Sequence, residues 1–284
     1  MSSLLLKGSA VAEGIRERMF PILEKLKGSG VVPGLAIVRI GEKEDDLAYE
    51  RGAVKKMASL GIDCQVKALP ADASTEDCLR VLALLNRDGA VHGILLLRPL
   101  PEHMDSRAIR EAVAPEKDVD CMHPASIARL FEGDPGGFAP CTPRAVMEMI
   151  RHYGIETEGK RVTVIGRSMV VGKPLAMMLL GRHATITVCH TRTRDLAAVC
   201  RQAEILVAAA GKARMVTADF VSSGQTVIDV GMNVDANGRL CGDVDFDAVE
   251  PIVAAITPVP GGVGSVTTSV LAEQVLQAAA KASS

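Results

Sequence analysis

The chain has 284 residues, 48% of them hydrophobic and 23% charged, and its 32 basic and 34 acidic side chains give a net charge of −2. Aromatic side chains are scarce, with no Trp, two Tyr and five Phe, so the core must be built from aliphatic residues. Proteins that bind single-stranded nucleic acid need stacking aromatics and a basic groove. The composition provides neither the aromatic side chains nor the excess of basic charge, so we expect no nucleic-acid partner.

Length and apolar patterning set the expected organisation and location. At roughly 150 residues per domain, the length predicts about two domains. No apolar run approaches the ~18 residues of a membrane span, so we expect a cytoplasmic protein with no membrane partner. The seven cysteines are scattered and never form a C-x-x-C pair, which predicts reduced core thiols and no metal site.

The first part of the chain alternates helical and extended patterns. Apolar residues at helical spacing predict a first helix over 4–27. In chain order we then expect a strand over 34–40, a charged loop over 42–46, a helix over 47–59, a strand over 65–69, a helix over 75–86 and a strand over 93–97. This alternation predicts βαβ units with a parallel sheet.

The segment 118–143 is rich in loop-forming residues, and the run Gly-Asp-Pro-Gly-Gly at 133–137 makes it the best candidate for a linker. A helix is predicted over 143–153. Beyond it we expect strands at 161–165, 185–189, 205–209, 226–230 and 255–256, and helices at 174–180, 195–202 and 267–280. The expected fold class is therefore α/β, with two αβ domains.

A candidate dinucleotide site follows the strand at 161–165. Gly166 and Gly172 bracket the turn between this strand and the next helix, where a dinucleotide-binding fold places its pyrophosphate against backbone N–H groups. The usual G-x-G-x-x-G is replaced by G-x5-G, a spacing that is equally compatible with an ordinary tight turn. The strand and helix alternation that follows favours the nucleotide interpretation.

The second strand of this region ends in a basic, hydroxyl-rich turn that starts at His190. An NAD-specific fold carries an acidic residue at this point for the ribose 2′-hydroxyl, and the turn has none before Asp195. Arg192, helped by Arg167 in the first loop, suits a 2′-phosphate, because guanidinium groups bind phosphate oxygens bidentately. NADP is favoured over NAD, although arginines also occur at ordinary helix starts.

Several motifs taken together resemble the methylenetetrahydrofolate dehydrogenase/cyclohydrolase family. They occur in the family's order over most of the chain, and the last of them is the most specific. The motifs are Asp118-Val119-Asp120, Pro140-Cys141-Thr142-Pro143, Gly166-Arg167-Ser168, Val171-Gly172-Lys173-Pro174, Asp229-Val230-Gly231-Met232-Asn233, Gly242-Asp243-Val244 and Thr257-Pro258-Val259-Pro260-Gly261-Gly262-Val263-Gly264.

The resemblance implies a catalytic domain and a Rossmann domain that face each other across a cleft, with the last helix returning to the catalytic domain. It places the folate-binding domain at 1–140 plus 266–284 and the NADP-binding domain at 141–265. The implied reaction is hydride transfer from 5,10-methylenetetrahydrofolate to NADP. A second activity of the family hydrolyses the methenyl product, and the family also implies a homodimer.

The resemblance also assigns site residues, with Tyr49 and Asp120 as both catalytic and substrate-binding residues. Tyr49 matches the tyrosine that packs on the folate ring system, and Asp120 matches the aspartate that hydrogen-bonds the pterin. The remaining substrate-binding positions are Ala53, Leu97, Pro260, Gly261, Gly262, Val263 and Gly264. The cofactor-binding positions are Gly166, Arg167, Ser168, Gly172, Pro174, Thr191, Arg192 and Met232.

The sequence departs from the family pattern at the substrate site. The family has Lys at position 53 and Gln at position 97, where this chain has Ala53 and Leu97. Because Ala and Leu can neither activate nor place a water molecule, the sequence predicts little or no cyclohydrolase activity. Further departures put Cys121 in place of a Gly and Ser265-Val266 in place of Pro-Met.

One lysine could replace the missing catalytic cation. Lys56 follows Tyr49 by seven residues, which is about 700° around an α-helix and hence nearly the same face. We include it as a surrogate catalytic residue, against the alternative of a solvated lysine at the helix end. Two other functions stay open, namely a catalytically degenerate paralog that binds folate or nucleotide, and a dehydrogenase for another one-carbon carrier.

Overall fold

The structure is a computed structural model that describes residues 3–134, 136–235 and 238–283. Its chain forms two compact units. The six-stranded unit consists of Met1–Gly14 and Thr142–Thr267, and the three-stranded unit consists of Ile15–Cys141 and Thr268–Ser284. Each unit combines helices with a parallel sheet, so the predicted α/β fold class is confirmed.

Eleven strands are found among the described residues: β1 (Leu4–Leu5), β2 (Gly34–Ile40), β3 (Asp63–Leu69), β4 (Gly93–Leu96), β5 (Arg161–Ile165), β6 (Thr185–Cys189), β7 (Ile205–Ala208), β8 (Thr226–Asp229), β9 (Asn233–Val234), β10 (Leu240–Cys241) and β11 (Ala255–Ile256).

The same described ranges contain ten α-helices: α1 (Gly8–Gly28), α2 (Glu44–Ser59), α3 (Thr75–Arg87), α4 (Ser106–Glu111), α5 (Pro124–Glu132), α6 (Cys141–His152), α7 (Gly172–Leu180), α8 (Leu196–Arg201), α9 (Phe246–Val249) and α10 (Val263–Ala282). A short 3₁₀-helix covers Ala218–Phe220.

The three-stranded unit is built on a parallel sheet with the order β3-β2-β4. Every residue of the central strand β2 is buried, as expected for an aliphatic strand covered on both faces. Val38 pairs with Leu96, and the Leu97 amide donates to the Val38 carbonyl at 2.9 Å. The chain that follows β4 therefore begins at the same carboxyl edge of the sheet as the chain that follows β2.

The six-stranded unit has a parallel sheet with the order β1-β11-β8-β7-β5-β6. Strand β5 lies between β7 and β6, and Ile165 pairs with Cys189 on one side and with Ala208 on the other. The strand order reverses at β5, which is the point where open α/β sheets form a ligand-binding crevice. The loop after β5 lies at this point.

The predicted start of the first helix was wrong, because residues 4–5 form a strand. β1 pairs with β11 in parallel, with the Leu4 amide bonded to the Ala254 carbonyl and the Leu6 amide to the Ile256 carbonyl, each at 2.8 Å. Sheet pairing overrides the local helical spacing here. This pairing also places residues up to Gly14 in the six-stranded unit, whereas the sequence grouped 1–14 with the folate-binding domain.

Two predicted loops proved partly helical. Helix α2 begins at Glu44 instead of residue 47, and three acids in its first turn are favourable at a helix N-terminus. The segment 118–143 contains α5, which starts with Pro124 after the N-cap His123 and ends at Gly133 in a left-handed conformation. Its nine residues are too few for a clear helical period. Pro135, within the predicted linker run, lies outside the described residues, as do the terminal residues 1–2 and 284.

The last helix packs with the three-stranded unit, as the resemblance implied. Gln274, fully buried, donates through Nε2 to the carbonyls of Val119 and Ala139 at 2.7 and 3.0 Å. Glu273 forms an ion pair with Arg18 at 3.2 Å.

Six of the seven cysteines are buried and Cys64 is half-buried. Within the described ranges, none of the helices combines the length and the apolar character needed to cross a membrane.

Candidate active site

Tyr49 lies on α2, partly buried, with Ala53 one turn further along the same face of the helix. Burial raises the pKa of Tyr49 well above its usual range, and the Cys141 thiol and the Asp120 carboxylate raise it further. The nearby Arg98 guanidinium acts in the opposite direction. The Tyr49 hydroxyl therefore keeps its proton at neutral pH and offers a flat ring with a polar end.

Asp120 is held at both of its carboxylate oxygens. Oδ2 accepts a hydrogen bond from Arg98 Nη2 at 2.5 Å, and Oδ1 accepts one from the backbone N–H of Cys141 at 2.9 Å. Cys141 is the first residue of α6, so the carboxylate also lies at a helix N-terminus. The side chains of Arg98 and Asp120 are only 16% and 14% exposed.

The two departures from the family pattern that the sequence linked to the cyclohydrolase step are apolar and buried. Ala53 is 0% exposed and Leu97 is 8% exposed. Leu97 directly follows β4 and precedes the cis Arg98–Pro99 peptide bond. Lys56 lies in the last turn of α2 and is half-buried. The structure thus brings Tyr49 close to Asp120, while the role of Lys56 stays a prediction.

The two aspartates of the Asp118-Val119-Asp120 motif have different environments. Asp118 is fully buried, and its carboxylate accepts the backbone N–H groups of Met122 and His123 at 2.9 and 2.8 Å. It therefore holds the turn that leads into α5. Cys121 adopts a left-handed backbone with φ 51°, which gives a physical reason for the Gly in the family pattern.

The turn after β5 is tight because two glycines meet within it. A β-carbon on Gly166 would lie 2.2 Å from the Ala209 carbonyl oxygen, and one on Gly172 would lie 2.0 Å from the Gly166 carbonyl oxygen. Gly166 also has φ 129°, which side chains rarely allow. Ser168 Oγ accepts the Val171 N–H at 3.0 Å. The G-x5-G spacing thus folds the loop back onto the start of α7, whose first turn contains the buried Pro174.

The turn after β6 lies beside the turn after β5, since the Gly166 N–H donates to the Cys189 carbonyl at 2.9 Å. His190 Nδ1 accepts the Arg192 N–H at 3.1 Å, which shapes the turn locally. Arg167, Thr191 and Arg192 are all exposed. The loops at the carboxyl ends of two adjacent strands therefore carry two exposed arginines and several hydroxyl groups, which are groups that can bind phosphate.

Two buried carboxylates organise the loops after β7 and β8. Asp229 accepts the backbone N–H groups of Gly231, Asp243 and Val244 at 2.8, 3.0 and 2.9 Å, and burial raises its pKa to about 6. Asp243 accepts the N–H groups of residues 210–212 at 2.6 to 2.9 Å. Met232, in the loop that Asp229 holds, is 63% exposed.

The segment from Pro260 to Gly264 makes a narrow turn before and into α10. Gly261 has φ 101°, and a β-carbon on Gly262 would lie 2.5 Å from the Pro258 carbonyl oxygen. The Ser265 hydroxyl donates to the Gly262 carbonyl at 2.7 Å. The close approach of backbone at Gly262 and the left-handed Gly261 therefore require residues without side chains, while the contact of this segment with substrate stays a prediction.

Sequence reasoning overlooked Arg98 and the structural roles of Asp229 and Asp243. The signal for Arg98 was a charge placed directly between a buried apolar strand and the Pro99-Leu100-Pro101 turn. The signal for the two aspartates was an acid at a strand end or after Gly, in a loop whose N–H groups need partners. The folded structure is needed to show which carboxylate accepts the hydrogen bonds of Arg98 and of these backbone N–H groups.

Comparison with known proteins matches both parts of the chain to one family. Residues 6–120 match the catalytic domain of tetrahydrofolate dehydrogenase/cyclohydrolase, and residues 140–283 match its NAD(P)-binding domain. The chain is 51% identical to the bifunctional protein FolD of Alkaliphilus oremlandii over 276 residues, which are 97% of each chain.

Two solved structures are similar over nearly the whole chain. FolD from Campylobacter jejuni, described as a bifunctional methylenetetrahydrofolate dehydrogenase/cyclohydrolase, has a TM-score of 0.95 at 38% identity and covers 99% of both chains. FolD from Trypanosoma brucei, solved with NADP and an inhibitor, has a TM-score of 0.93 at 37% identity and covers 99% of this chain and 98% of its own. The chain therefore belongs to the tetrahydrofolate dehydrogenase/cyclohydrolase family.

Proposed function

We propose that the chain oxidises 5,10-methylenetetrahydrofolate to the 5,10-methenyl compound, passes the hydride to NADP, and has weak or no cyclohydrolase activity. The observation that carries this proposal is the cluster of Tyr49 and Asp120 beside two apolar residues. Ala53 and Leu97 stand where the family has a lysine and a glutamine, and both are buried. The site thus keeps side chains that can bind a pterin, and at positions 53 and 97 it lacks side chains that can place or activate a water molecule.

NADP fits the loops at the carboxyl ends of β5 and β6. The N–H groups that open α7 and the Ser168 hydroxyl suit the pyrophosphate, and Arg167 and Arg192 suit the 2′-phosphate. The Trypanosoma brucei relative was solved with NADP, which supports the same cofactor here. When bound, NADP supplies the acceptor for the hydride.

The residues of the three-stranded unit contribute mainly positioning. Hydride transfer requires the donor carbon and the acceptor to be held in contact, and orientation of this kind accounts for a large part of enzymatic rate enhancement. Tyr49 provides a flat partner for the pterin-like ring, and the fixed Asp120 carboxylate accepts hydrogen bonds from its N–H groups. Neither role needs a proton to move.

The cyclohydrolase step has other requirements. Attack of water on the methenyl carbon needs a group that accepts or delivers a proton. Ala53 and Leu97 have no such group, and Tyr49, whose pKa is raised, is a poor base at neutral pH. Lys56 remains the candidate surrogate, and an unchanged turnover in a Lys56→Ala variant would remove it from the site.

The homodimer, the cytoplasmic location and the division into a folate-binding and an NADP-binding domain remain proposals. They rest on the resemblance and the composition. An elution volume of the monomer at the concentration used for the assays would contradict the homodimer.

The proposed dehydrogenase is tested by NADP reduction with 5,10-methylenetetrahydrofolate. We expect rapid NADPH formation by the native chain and a strong loss in Tyr49→Ala, with Phe220→Ala on the 3₁₀-helix as a control for the loss of an aromatic ring elsewhere. Binding of folate and NADP without turnover would contradict the proposal and select the degenerate paralog. Turnover of a different one-carbon carrier alone would select the dehydrogenase for that carrier.

A further inference from the structure

Arg98 is a largely, but not fully, buried cation that the family resemblance does not assign. It follows Leu97 at the carboxyl end of β4, and its side chain is 16% exposed. A guanidinium stays charged at any physiological pH, so it can supply charge and hydrogen bonds but cannot transfer a proton. A charge buried to this extent needs a partner, and the partner is Asp120.

The geometry of the pair is specific. Arg98 Nη2 donates to Asp120 Oδ2 at 2.5 Å, and the Cys141 N–H donates to Asp120 Oδ1 at 2.9 Å. Two donors on two different oxygens fix the plane of the carboxylate. Arg98 also acts electrostatically on the hydroxyl of Tyr49, which locates the guanidinium beside both proposed substrate-binding side chains.

We propose that Arg98 is a positioning residue, which orients the Asp120 carboxylate for the N–H groups of the pterin and balances its charge during hydride transfer. This inference rests on the proposed function, because it names a further determinant of the same site. Without Arg98, the carboxylate would keep the Cys141 N–H as a donor but could rotate about its side-chain bonds.

Charge balance gives the reason why the pair belongs together in a dehydrogenase. Removal of a hydride from the methylene carbon, which lies between two nitrogens, leaves a positive charge on the product, and the electron pair goes to the nicotinamide. An isolated guanidinium beside this carbon would oppose the reaction by Coulomb repulsion. Asp120 neutralises Arg98, so the pair presents hydrogen-bond acceptors to the ring without a net positive charge.

The first test compares Arg98→Leu and Arg98→Lys by steady-state kinetics. Loss of a charge-assisted hydrogen bond predicts a rise in the KM for methylenetetrahydrofolate of about 10- to 100-fold in Arg98→Leu, with the KM for NADP unchanged. Arg98→Lys keeps the charge and should recover part of the loss. Arg107→Leu is the matched control, because Arg107 pairs with Glu111 on the surface of the same unit and should leave both KM values unchanged.

The second test is a double-mutant cycle with Asp120→Asn. If Arg98 acts through Asp120, the variant carrying both Arg98→Leu and Asp120→Asn is no slower than Asp120→Asn alone. Multiplicative losses would overturn the proposal, as would an unchanged folate KM in Arg98→Leu. An unchanged KM for NADP shows that each variant is folded.

The outcomes also separate this inference from the proposed function. A native enzyme that reduces NADP with methylenetetrahydrofolate, together with an Arg98→Leu variant of native folate KM, overturns only the role of Arg98. A native enzyme that shows no turnover overturns the proposed function and, with it, the inference that rests on it.

Discussion

Gly172 lies so close to Gly166 that a β-carbon on residue 172 would stand 2.0 Å from the Gly166 carbonyl oxygen. The Gly172→Ala change must therefore displace the backbone of the loop that we assign to the pyrophosphate. We expect a loss of about 2 kcal/mol in the free energy of unfolding and a raised KM for NADP, measured by urea unfolding and steady-state kinetics.

The control for this change is Gly181→Ala, at the other end of α7. Its β-carbon would meet the nearest atoms at 3.5 and 3.6 Å, which is ordinary contact, and its φ of −63° suits any residue. It should retain the native NADP KM. A Gly172→Ala variant with native stability and native KM would contradict the assignment.

Arg192 is expected to distinguish NADP from NAD. Arg192→Gln removes a cation that we assign to the 2′-phosphate, and a lost charged hydrogen bond predicts a KM for NADP about 10-fold or more above native. The KM for NAD, which has no 2′-phosphate, should not change. Arg182→Gln is the matched control, because Arg182 is an exposed arginine that precedes the amino end of β6, whereas Arg192 follows its carboxyl end. Equal effects on NADP and NAD would rule out the 2′-phosphate role.

Tyr49 should titrate at unusually high pH. The chain has two tyrosines and no tryptophan, so in a Tyr153→Phe variant the near-ultraviolet signal of tyrosinate reports Tyr49 alone. Burial and the neighbouring Asp120 and Cys141 raise its pKa well above 10.0. We therefore expect no tyrosinate signal until the pH is well above 10.0, and a midpoint at or below that value would show that the ring is not held in this environment.

Asp229 should make the stability depend on pH. Its folded-state pKa of about 6 is above the usual 3.8, so the folded protein holds this proton more tightly than the unfolded chain does. The contribution is fully present below about pH 4 and is lost as the pH rises through 6, by at most about 1.4 kcal/mol per pH unit.

The test of this pH dependence is urea unfolding between about pH 4 and about pH 6.5 in the native chain and in Asp229→Asn. The native free energy of unfolding should fall relative to that of the variant as the pH rises. Parallel curves for the two proteins would show that Asp229 has an ordinary pKa in the folded state.

The sequence predicted the long, regular elements well because their patterns are local. The aliphatic runs of β2, β4 and β5 are typical of buried strands, and α3 and α7 follow from helical spacing. The sequence did not predict α4, α5 or the antiparallel pair of β9 and β10. Segments of so few residues show no clear hydrophobic period, and their stability comes from tertiary contacts.

The candidate site divides in a similar way. The tight turn of Gly166 could be inferred from the sequence, because glycine between a strand and a helix commonly marks a backbone conformation that side chains disfavour. The pairing of Arg98 with Asp120 could not, because it joins residues 22 positions apart through the fold of the three-stranded unit. For the same reason the left-handed conformation of Cys121 was visible in the sequence only as a departure from the family.

The most direct measurement supplies the enzyme with 5,10-methylenetetrahydrofolate and NADP and follows NADPH and the methenyl product together. We predict that the two products form in equal amounts and that the methenyl compound then decays no faster than in buffer without enzyme. Enzyme-dependent conversion of the methenyl compound to 10-formyltetrahydrofolate would contradict the central claim, because Ala53 and Leu97 would then not have removed the cyclohydrolase activity.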